Sequence, residues 1–259
     1  MHLPGALMVI AHRGSSGTAP ENTIIAFRRA VEAGADWLEL DVRRTADDEL
    51  AVFHDRTLDR TTDGRGSIYR HTIEDLRKLD AGRWFSSRYT GVRIPTLTEV
   101  LESIPAGVGL NIEVKTDGDR HWRSRTARRL TEVLHTRRRG RPILVSSFNH
   151  SFLKRLHTMA PSIVLGALAM PLRDAGLRPS TFGRACGAKA FVCSRTSLRK
   201  RQVHDAHRHA MRVFVYGVNS ARHLLRPRRF GVDGVITNYP ALMLRLLDRT
   251  GRRPSLDMT

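Results

Sequence analysis

Short apolar, β-branched runs alternate with stretches whose apolar positions recur at helical spacing, almost from one end of the chain to the other. The runs predict strands over 8–11, 38–42, 50–53, 110–114, 143–147, 163–168, 190–193, 213–218 and 234–237. The helical stretches predict helices over 22–33, 97–103, 121–136, 151–159, 198–209, 220–226 and 241–248. Near-continuous apolar strands separated by amphipathic helices are the pattern of parallel βα units, whose sheet is covered on both faces. For 259 residues the economical closed form is an eight-stranded β/α barrel, which makes a ninth strand one too many. The sixth and seventh runs are the weakest, so one of them is expected to lie outside the barrel. The connection RRTADDE before Leu50 is too short for a crossover helix, and one barrel helix is expected to be missing there. Between His54 and Ile94 no strand pattern occurs and Gly, Asp, Arg and Thr dominate, which reads as an insertion with a short helix near 73–79.

Composition narrows the class. Hydrophobic residues make up 41% and charged residues 27%, which excludes a disordered or coiled-coil chain. No apolar run approaches the roughly 18 residues that span a bilayer. The start MHLPGALMVIAHRG lacks a basic beginning, a long apolar stretch and a cleavage site, so no signal peptide is expected, and the tail GRRPSLDMT is expected to fray. Cys186 and Cys193 are too few for a disulfide framework or a cysteine-rich zinc site; they read as small buried hydrophobes of a cytoplasmic protein.

Charge adds a second question. The net charge is +19, and it is uneven: residues 1–119 carry 15 Lys and Arg against 19 Asp and Glu, residues 120–259 carry 29 against 6. Such a half is compatible with peripheral contact to an anionic membrane or with polyanion binding. The arginines are spread over many predicted helices and form no basic stripe with interleaved aromatics, which argues against specific nucleic-acid recognition. The run Arg137-Arg138-Arg139 reads as a solvated helix end. His204 and His207 share a helix face, but no matching glutamate joins them, and the helix reads as basic surface and not as a metal site.

The candidate chemistry lies at the carboxyl ends of the first four predicted strands, the face that carries the site in β/α barrels. They read His12-Arg13-Gly14, Leu38-Glu39-Leu40-Asp41, Phe53-His54-Asp55 and Asn111-Ile112-Glu113-Val114-Lys115. Side chains two apart share a strand face, so Glu39 converges with Asp41 and Glu113 with Lys115. Three carboxylates outnumber the one lysine, which favours a bound cation over a plain salt bridge. Oxygen donors without thiolates suit Mg2+ or Ca2+. His12 and His54 flank this cluster as a candidate acid/base pair. Arg13 and Lys115 add fixed positive charge for an anionic group. The combination points to metal-assisted phosphoryl transfer or hydrolysis.

At these residues the chain resembles the glycerophosphodiester phosphodiesterase family. The matching segments are AHRG, APENT, LELDV, VFHD, LDRTTDGRG, LDAGRWF, IPTLTEVL, NIEVK, SSF and GVDGVITNYP, in the family's order and over nearly the whole chain. The resemblance implies an α/β fold, a distorted (β/α)8 TIM barrel of the phosphodiesterase type, as a single domain over 1–259 with a small insertion after the third strand at about 56–93. It implies hydrolysis of a small glycerophosphodiester to sn-glycerol 3-phosphate and an alcohol, dependent on one divalent cation. By residue, Glu39, Asp41 and Glu113 match its metal ligands and His12 and His54 its catalytic histidines. Arg13 and Lys115 match phosphate-holding residues, with Glu21 and Asn22 of the ENT motif beside them. Phe148, Tyr216 and Trp84, with Phe85, are candidates for apolar contact to the substrate. Two departures are Tyr216, where the family usually has Trp, and Asn238 in place of Asp, the latter expected to matter little. Lysophospholipase D-like or sphingomyelinase D-like activity on lipid diesters is the alternative within enzymes; a non-catalytic polyanion- or membrane-binding protein is the alternative outside them. The oligomeric state is not legible.

Overall fold

The computed structural model describes residues 6–249 apart from 117–119, 138–139, 171–172, 175 and the side chain of 120. The readings of the first residues as lacking a leader, of Arg138 and Arg139 as a helix end and of a frayed tail fall outside the described residues. Among the described residues there are nine strands: β1 (Met8–His12), β2 (Trp37–Arg44), β3 (Leu50–Val52), β4 (Gly109–Val114), β5 (Ile143–Ser147), β6 (Val164–Leu168), β7 (Ala190–Ser194), β8 (Arg212–Tyr216) and β9 (Gly234–Thr237). Eight run parallel in the order β1, β2, β4, β5, β6, β7, β8, β9, and β9 pairs back onto β1. The barrel is closed, as the alternation predicts.

The strand outside it is not the sixth or the seventh. It is β3, which pairs antiparallel with the end of β2 through Val42 opposite Val52 and Arg44 opposite Leu50. A parallel partner needs a crossover of about a dozen residues. Residues 45–49 can only turn the chain back. Nor is a barrel helix missing, because the true connection from β2 to β4 carries the helix Leu97–Ser103 against the outside of the sheet. That helix starts at a Thr96–Glu99 capping box. The segment after β3 packs Leu58, Ile68, Leu76, Ala81 and Ile94 into a small cluster with Ala51 and Phe53, and its short helix is Ile73–Arg77. One helix escaped the pattern: Pro179–Cys186 carries Gly183 in its interior, and Phe182 and Cys186 hold it to the outer core.

The two-residue period of the strands decides which side chains face the lumen. In β1, Val9 and Ala11 join the large outer core under the helices, while Met8 and Ile10 join the inner cluster with Trp37, Leu144, Val192, Phe214 and Ile236. The same parity continued upward puts His12 inside. In β2, Leu38, Leu40 and Val42 face the helices and Trp37, Glu39 and Asp41 face in. In β4, Leu110, Ile112 and Val114 face out, leaving Asn111 and Glu113 to the lumen. The lower lumen is therefore apolar and the upper lumen ionisable.

The charge asymmetry along the chain is partly cancelled in space. Arg129 meets Glu49 at 2.6 Å, Arg137 meets Glu102 at 2.7 Å and Arg249 meets Asp36 at 2.7 Å, each basic second-half residue taking an acid of the first half. Arg125 does the same with Asp48. Among the described residues no helix is long and apolar enough to cross a membrane.

Gly109 opens β4 beneath the Trp37 ring, and a β-carbon there would lie 2.2 Å from its Cε2. Gly109→Ala is expected to cost about 1–3 kcal/mol by overpacking. Thermal denaturation followed by circular dichroism checks this; an unchanged midpoint would mean that the lumen floor yields.

Candidate active site

His12 closes β1, and the chain then turns sharply. Arg13 has φ 54° and Gly14 φ 78°, two successive left-handed residues. At Gly14 a β-carbon would lie 2.5 Å from the Ala26 carbonyl carbon, so the loop presses directly on the helix Ile24–Glu32. For Arg13 this backbone costs on the order of 1–3 kcal/mol, and three contacts offset it. Its N–H donates to Glu39 Oε2 at 2.9 Å, Nη1 donates to Glu21 Oε1 at 2.8 Å and Nε lies 3.0 Å from Asp41 Oδ2. Asn22, also left-handed at φ 58°, donates Nδ2 to Asp41 Oδ2 at 2.9 Å and accepts from the Asp41 N–H at 3.2 Å.

Glu39, Asp41 and Glu113 are buried, and one carboxylate oxygen from each lies within 4.8 Å of the others. Unit charges at that spacing repel by roughly 3 kcal/mol per pair at an effective dielectric constant of about 20. Lys115 answers part of this, reaching Asp41 Oδ1 at 3.0 Å and pairing with Glu113. The three acids respond differently. Burial would raise Asp41, but Lys115 and Arg13 outweigh it and hold it below the usual carboxylate range. Burial, then Asp41 and Glu113, push Glu39 well above that range, and burial with Asp41 raises Glu113 despite Lys115.

The cluster can hold one cation. The donors are hard oxygens, the charge is in excess on Glu39 and Glu113, and Asn111 Oδ1, buried in the same wall, has no hydrogen-bond partner. No other group of His, Cys, Asp and Glu among the described residues is arranged for a metal. His207 instead contacts Asp233 at 2.9 Å.

The two histidines sit differently. His12 Nδ1 donates to Asn238 Oδ1 at 2.7 Å, and burial, with Arg13 adding to it, pushes the ring down to about 4. His54 reaches the rim because β3 runs back toward it, with the Phe53 N–H bonded to the Asp41 carbonyl at 2.9 Å. Its Nδ1 donates to Asp55 Oδ1 at 2.5 Å and its ring is a third exposed. Burial, Arg13 and Lys115 lower it against the pull of Asp41 and Asp55.

These groups surround one cavity of about 240 Å3, lined by His12, Arg13, Glu39, His54, Asn111, Glu113, Lys115, Phe148 and Tyr216 with an apolar floor. Phe148 and Tyr216, singled out in the sequence, therefore border it. Trp84 does not; it packs edge-on against Phe85, which packs on Tyr89, and its Nε1 donates to the Ala81 carbonyl. Glu21 and Asn22 do not line it either, but brace Arg13 and Asp41 from behind. Sequence reasoning overlooked Asn111, Asp55 and Arg60 and set Asn238 aside as of small consequence. Asn111 and Asn238 fall at the inward parity of their strands, which was a usable signal. The contacts of Arg60 depend on a fold of the excursion that no local pattern reveals.

A β/α barrel with an acidic, cation-ready cavity at its mouth and two histidines defines a class of phosphoester-processing proteins. The chain belongs to the glycerophosphoryl diester phosphodiesterase family, whose model matches residues 12–242. A glycerophosphodiester phosphodiesterase of Caldanaerobacter subterraneus subsp. tengcongensis is 36% identical over 246 residues, covering 94% of this chain and 99% of that one. The Bacillus subtilis glycerophosphodiester phosphodiesterase is 32% identical over 256 residues, covering 92% and 86%. A phosphodiesterase of Oleispira antarctica, solved in complex with the product sn-glycerol-3-phosphate, superposes with a TM-score of 0.86 at 32% identity over 93% of this chain and 96% of that one. An enzyme family thus replaces the non-catalytic reading of the basic half.

The raised acids set a pH dependence. A carboxyl whose folded pKa lies above its unfolded 4.5, as for Glu39, weakens the ion-free fold as pH climbs past that value. Asp41 has the opposite sign, and its contribution is full above 3.8 and lost as pH falls below it. A divalent cation at about 100 times its Kd is expected to add about 2.7 kcal/mol, worth roughly 5–10 °C in a chain of this size. The gain should be larger at neutral pH than near pH 5, where protons compete for Glu39. Glu39→Gln is expected to raise the ion-free midpoint at neutral pH and to reduce the gain. Melting scans with cation or chelator check this.

Proposed function

We propose that the protein hydrolyses glycerophosphodiesters to sn-glycerol 3-phosphate and an alcohol in this cavity, with one hard divalent cation, Mg2+ or Ca2+, held by Glu39, Asp41 and Glu113. The observation that carries the reading is the convergence of two histidines, two acids and two basic side chains on one small cavity, with Asp41 buried beside Glu39 and Glu113 as the third acid of the cluster. Its volume of about 240 Å3 is below the roughly 300–1,000 Å3 of sites for drug-sized ligands, as suits a glycerol phosphate moiety. A neighbouring groove of about 600 Å3 shares Glu113, Lys115 and Phe148 and continues past His150 and Met170, which offers space to the alcohol. The likeness to a phosphodiesterase solved with sn-glycerol-3-phosphate supports the same product here. We read residues 1–259 as one catalytic domain acting on a small soluble diester. Its two buried thiols support a cytoplasmic setting.

When bound, the cation supplies charge neutralisation at the phosphate and polarises it. Arg13 and Lys115 hold the non-bridging oxygens, with Arg13 aimed by Glu21 and Asp41. His12 acts as the initial base. It is neutral at physiological pH, its Nδ1–H is committed to Asn238, and Nε2 is left for the cavity to take the proton of the attacking glycerol 2-hydroxyl. His54, nearer the rim and backed by Asp55, protonates the departing alcohol. The bond from the glycerol 2-oxygen to phosphorus forms as the bond to the alcohol breaks, which leaves a cyclic phosphate; water then opens it with the two histidines in reversed roles. Phe148 and Tyr216 form the apolar side of the pocket.

His12→Ala and His54→Ala are each expected to lower kcat by about 10²–10⁴; near-native turnover in either removes that residue from the reaction. A panel of glycerophosphodiesters and a long-chain lysolipid, assayed for glycerol 3-phosphate release with and without chelator, tests the substrate class. The small diesters are expected to turn over, and only with cation present. Preference for the lysolipid would favour the lysophospholipase D-like reading instead.

A further inference from the structure

Arg60 lies outside the barrel, in the excursion that follows β3. Its guanidinium grips two carboxylates. Nε donates to Asp55 Oδ2 at 2.6 Å and Nη2 to Asp55 Oδ1 at 3.1 Å, while Nη1 donates to Glu21 Oε2 at 3.0 Å and Nη2 to Glu21 Oε1 at 2.7 Å. Each carboxylate has a second duty. Asp55 Oδ1 accepts from His54 Nδ1 at 2.5 Å, and Glu21 Oε1 accepts from Arg13 Nη1 at 2.8 Å. A continuous chain of charge-assisted bonds therefore runs from His54 through Asp55, Arg60 and Glu21 to Arg13.

We propose that Arg60 is a positioning residue for alcohol departure: by fixing the Asp55 carboxylate it holds His54 with Nδ1–H committed and Nε2 presented to the leaving oxygen. This rests on the reading of His54 as the acid. As the bond from phosphorus to the alcohol oxygen breaks, its electron pair stays on that oxygen and the Nε2 proton of the His54 imidazolium is transferred to it. A neutral ring remains, its Nδ1–H still on Asp55.

Two features separate this role from an ordinary surface ion pair, which contributes little to stability. First, the fork is used at both ends, spanning two carboxylates with three nitrogens, a geometry that a lysine cannot reproduce. Second, the ends are unequal. Without Arg60, Arg13 keeps Glu21 and Asp41 as partners, whereas Asp55 loses the bidentate hold that keeps it under His54. Hydrogen bonds from Arg60 and His54 outweigh burial and hold Asp55 at about 2, so it stays an acceptor throughout the neutral range. The loss should therefore fall on proton donation to the alcohol more than on phosphate binding.

The test uses the full chain with excess divalent cation and two sn-glycero-3-phosphodiesters, one of choline and one of 4-nitrophenol. The choline alkoxide leaves only with a proton; 4-nitrophenolate leaves without one. In Arg60→Gln the ratio of kcat on the choline diester to kcat on the aryl diester is expected to fall about 10-fold or more, with KM changing less than about 3-fold. Arg60→Lys should lie between, and His54→Ala should show the largest fall in the same ratio. If His54→Ala shifts the ratio and Arg60→Gln leaves it unchanged, the positioning role is overturned and the reading of His54 stands. If His54→Ala does not shift it, both are overturned. Should Arg60→Gln fail to fold, Arg60→Lys carries the same comparison, with the unfolded fraction checked by melting.

Discussion

Three carboxylates within 4.8 Å of one another inside a barrel mouth are a repulsive arrangement, and most of the site follows from how the fold tolerates it. Asp41 is the fully compensated member, bonded by Arg13, Lys115 and Asn22. Glu39 and Glu113 are left in excess, and their raised proton affinity records a demand for positive charge that side chains do not meet. A bound cation would meet that demand, and the same field keeps Arg13 and Lys115 charged and aimed. Binding capacity and strain are thus two aspects of one electrostatic imbalance.

The loop after β1 is built around this imbalance. Two successive left-handed residues, an arginine and a glycine, pull the Arg13 backbone over Glu39 and swing its side chain between Glu21 and Asp41. Gly14 is required twice, for its dihedral angle and for its contact with the Ala26 backbone. Asn22 shares the strained conformation and braces Asp41 from the other side. The rigid barrel tolerates these local costs because its apolar layers, inside and out, are closed by an unbroken ring of parallel pairs.

The excursion between β2 and β4 contributes what a regular barrel would lack. The antiparallel turn-back of β3 returns the chain to the level of Asp41 and delivers His54 to the rim. The segment beyond it then folds over the β1 loop, with Tyr89 donating to the Thr18 carbonyl and Arg60 joining Glu21 to Asp55. An insertion that looks peripheral in the chain therefore supports both sides of the cavity.

Much of this was legible in the residues. Alternating apolar runs and helical patterns dictated a barrel, and the period of two dictated that Glu39 and Asp41, and Glu113 and Lys115, face the same way. Collinear motifs pointed to the family. The strength of an apolar run does not identify the extra strand; the length of the connection does. Residues 45–49 exclude a crossover for β3, while β6 and β7 are full members. Trp84, a candidate for apolar contact to the substrate, instead packs its ring on Phe85 within the excursion. Asn238 on His12, Arg60 on Asp55 and Glu21, and the pairing of basic second-half arginines with first-half acids were decided by tertiary structure alone. Each joins positions far apart in the chain, and local periodicity carries information about which face a side chain takes, not about which distant partner it meets.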